Sequence, residues 1–226
     1  MLWISLSSQI FSQDNKTNSH HLPRSSAASQ NVDEVILEDF INSLDSNFEG
    51  IHSVMILRNG KVICEGWWSP YREEDNHMLF SLSKIFTSTA VGMAAEENLL
   101  SIDDTVAEYF PNDLPDNPPY NLKAMRVRDL LTMTTGHQSE PPISASEISV
   151  RSFFESKVKH QPGTHFKYNT SATFVQSALI QKVTGQKVLS YLQSRLFEPL
   201  GISNPYWRDN YEGISLGGYG LRLRTE

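Results

Sequence analysis

Two β-rich runs, Ile51–Leu57 and Val62–Trp68, flank the pair Asn59-Gly60, and this stretch limits what the chain can become. Asn-Gly accepts the positive φ angles of a tight turn, so the runs are predicted to fold back as an antiparallel hairpin. Two strands cannot bury both of their faces, and a lone hairpin is marginal in water. The hairpin therefore calls for a larger sheet, yet every later stretch reads as helix or loop. It also leaves a bare apolar edge. The expected class is α/β in its α+β form, a helical domain plus an antiparallel sheet domain whose C-terminal strands are missing from this chain.

A helix is predicted ahead of the hairpin from about Asn31, capped by Asp33 or Asn31, because Val35, Ile36, Leu37, Phe40, Ile41 and Leu44 recur at helical spacing. Residues 1–30 read as a flexible leader. Within it, Met1 to Phe11 resembles a short signal-peptide core that no lysine or arginine precedes, and Ser12 to Gln30 is rich in Ser, Asn and Gln. A periplasmic or secreted protein is the expectation, with the cytoplasm left open. Residues 31–226 form the folded domain. After the hairpin, helices are predicted at 81–98, 127–133 with Gly136 as C-cap, 147–155, 172–183 and 188–197. Pro111, Pro115, Pro118 and Pro119 impose an extended loop.

Of the 226 residues, 39% are hydrophobic and 20% charged, the balance of a folded globular protein. The formal charge of −7 contains no basic cluster, so nucleic acid is not an expected partner, whereas a small-molecule or peptide-like substrate is. Cys64 is the single cysteine and falls in a predicted strand, which makes it a core thiol. The histidines form no H-E-x-x-H or comparable spacing, so no metal or cofactor is expected. No run approaches the roughly 18 apolar residues of a transmembrane helix. The sequence sets no oligomeric state.

The chemistry concentrates in Phe80-Ser81-Leu82-Ser83-Lys84, where a Ser-x-x-Lys tetrad opens a mostly apolar segment. At the start of a helix, residues three apart share a face, so the Lys84 ammonium falls beside the Ser81 hydroxyl. Serine alone is a poor nucleophile, and a neighbouring amine that takes its proton activates it. The bland alternative is an N-cap serine followed by a surface lysine. Leu79, Phe80, Ile85, Phe86, Ala90, Val91, Met93 and Ala94 make the segment apolar on more than one face, and so predict a buried central helix in which a lysine needs a reason.

Several stretches together resemble the serine β-lactamase and penicillin-binding-protein superfamily, nearest to its class C-like serine hydrolases. They are Phe80-Ser81-Leu82-Ser83-Lys84, Ala95 to Asp104, Asp129-Leu130-Leu131-Thr132-Met133-Thr134-Thr135-Gly136-His137, Pro162-Gly163-Thr164, Phe166-Lys167-Tyr168-Asn169-Thr170, Val183-Thr184-Gly185, Pro199-Leu200-Gly201-Ile202 and Gly217-Gly218-Tyr219-Gly220-Leu221. Each is modest, but their order from about residue 35 to 226 is specific.

The resemblance implies a β-lactamase/transpeptidase-like fold and acyl transfer on an ester, amide or β-lactam. Ser81 would be the acylated nucleophile, Lys84 its proton acceptor, and Tyr168 a second proton carrier serving the leaving group and then the attacking water. Thr170 and Asn169 would face the substrate. Thr170 stands where the family's Tyr-x-Asn pattern has asparagine, which puts β-lactam hydrolysis in question. The third family motif, Lys-Thr-Gly or His-x-Gly on a strand, would lie beyond Glu226. That strand supplies an oxyanion donor worth roughly 3 kcal/mol, so the chain as given is expected to be a C-terminally truncated fragment with little turnover. A non-catalytic penicillin-binding-like module that binds peptide or cell-wall fragments is the alternative from another class.

Overall fold

The computed structural model describes residues 3–4 and 21–226, divided by their contacts into two compact units. One comprises residues 1–77, 200–203 and 223–226; the other comprises 78–199 and 204–222. The signal-like Met1–Phe11, apart from residues 3–4, and the leader as far as residue 20 lie outside the described residues.

The first unit is built on the hairpin. Strands β1 (Trp3–Ile4), β2 (Ser53–Arg58) and β3 (Lys61–Trp67) form an antiparallel sheet in the order β1-β3-β2. Asn59 (φ +50°) and Gly60 (φ +74°) make the predicted tight turn, and a register shift at Ile56/Leu57 marks a bulge. β3 is central, so its predicted bare edge is covered in part by β1. Residues 21–30 of the expected leader fold onto the same strand: Ser25 N–H donates to the Val62 carbonyl at 2.9 Å, and Val62 N–H donates to the Pro23 carbonyl at 2.8 Å. Helix α1 (Glu34–Asn47) begins where Asp33 accepts the Val35 N–H at 2.9 Å. It turns Leu37 and Ile41 onto Ile63, Cys64 and Ala27. Cys64 is the core thiol read from sequence, and burial raises its pKa. Strand β4 (His77–Met78) straddles the boundary, with His77 counted in this unit and Met78 in the other.

The second unit is helical. Helices α2 (Ser83–Glu96), α3 (Val106–Tyr109), α4 (Tyr120–Ala124), α5 (Val127–Leu131) and α6 (Val150–Glu155) precede the long α7 (Thr170–Thr184), and α8 (Val188–Leu192) runs into a wider turn over Gln193–Phe197. α7 is the central helix: every residue from Thr170 to Ile180 is buried. The predicted centre, α2, buries Ala90, Val91 and Ala94 but exposes Ile85. Hydrophobic count misleads here because α7's many hydroxyls find partners inside. Ser171 Oγ donates to the Pro142 carbonyl at 2.6 Å, and Ser177 Oγ to that of Ser215 at 2.7 Å. A buried hydroxyl is tolerated when it is bonded.

Two further expectations are corrected. Strands do follow the hairpin: β5 (Tyr206–Trp207) pairs antiparallel with β6 (Leu221–Leu223), Tyr206 opposite Arg222 and Trp207 opposite Leu221. They are too short, and too rich in glycine between them, to register as alternation. Gly136 is not the cap of α5; Met133 takes the left-handed conformation (φ +55°) after its last turn. Gly136 serves another need, since a Cβ there would meet the His160 carbonyl oxygen at 2.2 Å. No helix among the described residues is long and apolar enough to cross a membrane.

Candidate active site

Ser81 lies in the single 3-10 turn Phe80–Leu82 that leads into α2. Phe80 takes φ +44°, a strained angle for a bulky residue, directly before the serine. Ser83 braces the turn: its buried hydroxyl donates to the Phe80 carbonyl at 2.6 Å and accepts the Leu221 N–H at 3.3 Å. Ser83 occupies an x position of the Ser-x-x-Lys tetrad, where the pattern itself assigns it no role.

One turn on, Lys84 Nζ donates to Ser81 Oγ at 3.1 Å and to the Gly218 carbonyl at 2.8 Å. Lys84 is half-buried, not fully buried as the apolar flanks implied. The second bond gives the glycine pair 217–218 its purpose. A Cβ on Gly217 would meet the Thr173 carbonyl oxygen at 2.7 Å, and one on Gly218 would meet Thr170 Cγ2 at 2.6 Å. Only glycine lets this segment lie flat on α7 and turn carbonyls to α2, where Thr87 Oγ1 donates to that of Gly217 at 2.9 Å.

Tyr168 completes the triad. Its hydroxyl donates to Ser81 Oγ at 2.8 Å, and Lys84 Nζ sits 5.0 Å from its ring centroid. The hydrogen bond with Ser81, and then the Lys84 cation, hold the phenol below its ordinary pKa, against partial burial and the negative charge of Glu140.

Asn169 and Thr170 are placed differently from the substrate-facing role expected of them. Asn169 is wholly buried at the N-cap of α7, where its Oδ1 accepts the Ala172 N–H at 3.0 Å. Its Nδ2 donates to Thr135 Oγ1 at 3.3 Å, so the amide has no polar atom to offer a substrate. Thr170 is buried against Gly218, and its backbone N–H goes to Glu140 Oε1 at 2.6 Å.

Behind Asn169 runs a relay whose proton positions are fixed by elimination. The Phe153 carbonyl can only accept, so His137 Nε2 carries the ring proton and donates to it at 3.2 Å. Nδ1 of the neutral ring then accepts the Thr135 hydroxyl at 2.9 Å, while Thr135 Oγ1 accepts from Asn169. Burial holds this imidazole neutral by lowering its pKa, against the bonds to Phe153 and Ser156 that raise it. His137, left unassigned from sequence, thus anchors the residue next to Tyr168. Trp207, also unassigned, is buried with Nε1–H donating to the Tyr219 carbonyl at 2.9 Å.

Among the described residues no group of three or more His, Cys, Asp or Glu side chains is arranged to hold a metal. The site offers a hydroxyl held by an amine and a phenol.

Residues 44–217 match the family model for Beta-lactamase. The chain belongs to the beta-lactamase family. Its relatives include Protein flp of Staphylococcus aureus strain MRSA252, 24% identical over 192 residues, a match that takes in 76% of this chain and 38% of flp. Among solved structures, the Beta-Lactamase/D-Alanine Carboxypeptidase from Pseudomonas syringae superposes with a TM-score of 0.66 at 21% identity, over 84% of this chain and 61% of that one. A class C beta-lactamase gives a TM-score of 0.67 at 21% identity, over 85% and 61%. The chain therefore spans less than two thirds of each of these relatives, 38% of flp and 61% of the two structures. The mixed fold of the beta-lactamase family, helices with antiparallel sheet, is the architecture expected from sequence.

Proposed function

We propose that this beta-lactamase-family protein is a serine hydrolase that transfers an acyl group through an ester on Ser81, taking an ester, an amide or a β-lactam. The convergence of Lys84 Nζ and Tyr168 OH on Ser81 Oγ carries the reading. In the attack, Ser81 Oγ bonds to the carbonyl carbon while its proton passes to Lys84, which reacts from its neutral amine form. Tyr168 delivers a proton to the leaving atom as its bond to the carbonyl carbon breaks, then takes one from the water that attacks the ester, and Lys84 returns its proton to Ser81 Oγ as that oxygen leaves. Amides in a first helical turn have no intrahelical acceptor, so the Ser81 N–H is available to the developing oxyanion. His137, Thr135 and Asn169 position Tyr168 rather than touching substrate.

The family names a broad range of leaving groups, so the substrate is best sought with a panel: a p-nitrophenyl ester, a chromogenic cephalosporin and a D-alanyl-D-alanine peptide. The reading requires a pre-steady-state burst on at least one of them, absent in Ser81→Ala. Binding without a burst on every member would favour the non-catalytic module. The signal-like Met1–Phe11 supports export, which fractionation and N-terminal sequencing of the mature protein would test.

A further inference from the structure

Glu140 has no part in the chemistry above, yet the fold fastens it beside the triad. Its loop is tied to α7 and the glycine segment at three points. Thr170 N–H donates to Glu140 Oε1 at 2.6 Å, Ser171 Oγ to the Pro142 carbonyl at 2.6 Å, and Tyr219 OH to the Ile143 carbonyl at 2.6 Å. Thr170 is two residues from Tyr168, and the carboxylate is near enough for its charge to be felt at the phenol. Glu140 is exposed, and among the described residues it has no ion-pair partner and its Oε2 has no hydrogen bond. One oxygen is pinned by a backbone amide while the other faces water. A carboxylate so fixed loses little freedom on meeting a cation, and charge-assisted bonds are the stronger kind.

Building on the serine-hydrolase reading, we propose that Glu140 is a specificity-determining residue, selecting substrates whose acyl group ends in an ammonium and disfavouring those that end in a carboxylate. Among the described residues, two other acceptors of the site are already engaged, Asn169 on the helix cap and the Gly218 carbonyl on Lys84.

The test compares the rates at which Ser81 is phosphonylated by two fluorophosphonates, one with an alkyl arm ending in an ammonium and one with an isosteric methyl-ended arm. The product of the complete reading frame is used at low salt, with the adduct followed by mass spectrometry. The ammonium reagent should react about two- to fivefold faster, the scale of a single exposed ion pair. The ratio should fall toward one in Glu140→Gln, and Glu140→Lys should prefer a carboxylate-ended reagent. Because the formal charge of −7 attracts cations generally, Glu108→Gln, a change of equal charge at an exposed position of α3, should leave the ratio as it is. Equal rates in the parent protein, or a ratio that survives Glu140→Gln, would overturn the assignment while Ser81 stands. If neither reagent labels Ser81, the serine-hydrolase reading fails and takes this one with it.

Discussion

Tyr168 and Ser81 lie 87 residues apart in the chain, yet the phenol hydroxyl donates a 2.8 Å hydrogen bond to the serine oxygen. The contact exists because α7 starts where Asn169 caps it, one residue after the tyrosine. Tyr168→Phe removes the proposed second proton carrier and keeps the ring, so the acylation rate should fall by about 10²- to 10⁴-fold with the melting temperature nearly unchanged. Stopped-flow burst kinetics beside a thermal melt separates the two effects.

The phenol's pKa lies below its reference value of 10.0, chiefly through Ser81 and then through Lys84, whereas Glu140 acts to raise it. A lowered pKa means that the phenol loses its proton at a lower pH than in free tyrosine, so the falling limb of kcat/KM against pH, where Tyr168 can no longer supply the leaving group's proton, should lie below 10. Glu140→Gln should move that limb further down and Lys84→Ala should move it up. A limb unaffected by either variant would remove Tyr168 from the rate-determining proton transfer.

Gly218→Ala tests the glycine segment. The added methyl would meet Thr170 Cγ2 at 2.6 Å and the Thr170 carbonyl oxygen at 2.9 Å, both inside contact distance. Backbone must shift, at a cost of about 1–3 kcal/mol in stability, and the carbonyl that holds Lys84 moves with it. Urea unfolding should report the first effect, and a drop in kcat larger than any rise in KM the second.

Much of this arrangement was legible in the sequence, and the exceptions share a cause. The Asn59-Gly60 hairpin, the Asp33 cap and the Ser81–Lys84 pair rest on local spacing, which short-range rules capture. The central place of α7, the second strand pair and the roles of Ser83, Gly218 and His137 rest on partners far away in the chain. α7 looks polar until Pro142 and Ser215 are seen to receive its hydroxyls. Asn169, read as a substrate contact from its place after Tyr168, turned inward because an N-cap must bond its own helix.

His137 sets a second pH dependence. Its folded pKa is depressed below the 6.5 of a free imidazole, so the unfolded chain binds the proton more readily. The stability it contributes is full above 6.5 and is lost as pH falls through the folded pKa. His137→Ala leaves Thr135 and the Phe153 carbonyl without their partner and should cost about 1–3 kcal/mol at neutral pH, with a smaller difference in acid.

In the first unit, burial pushes the Glu226 carboxyl up, but hydrogen bonds from Arg24, His21 and the Leu22 N–H outweigh it and hold the group down at about 2. Its stabilising effect is present above the unfolded value of 4.5 and disappears as pH falls through 2. Arg24 also bonds Glu65 at 2.9 Å, so Arg24→Ala should destabilise this unit at pH 7 and shrink its acid-dependent loss between those limits. Tryptophan fluorescence during acid titration would read it.

The most direct test is whether Ser81 carries the acyl group. Incubating the product of the complete reading frame with a slowly deacylating ester and mapping the adduct by peptide mass spectrometry should place one modification on the peptide containing Ser81. The adduct should be absent in Ser81→Ala and form more slowly in Lys84→Ala and Tyr168→Phe. Turnover with an adduct elsewhere, or turnover that persists in Ser81→Ala, would contradict the account.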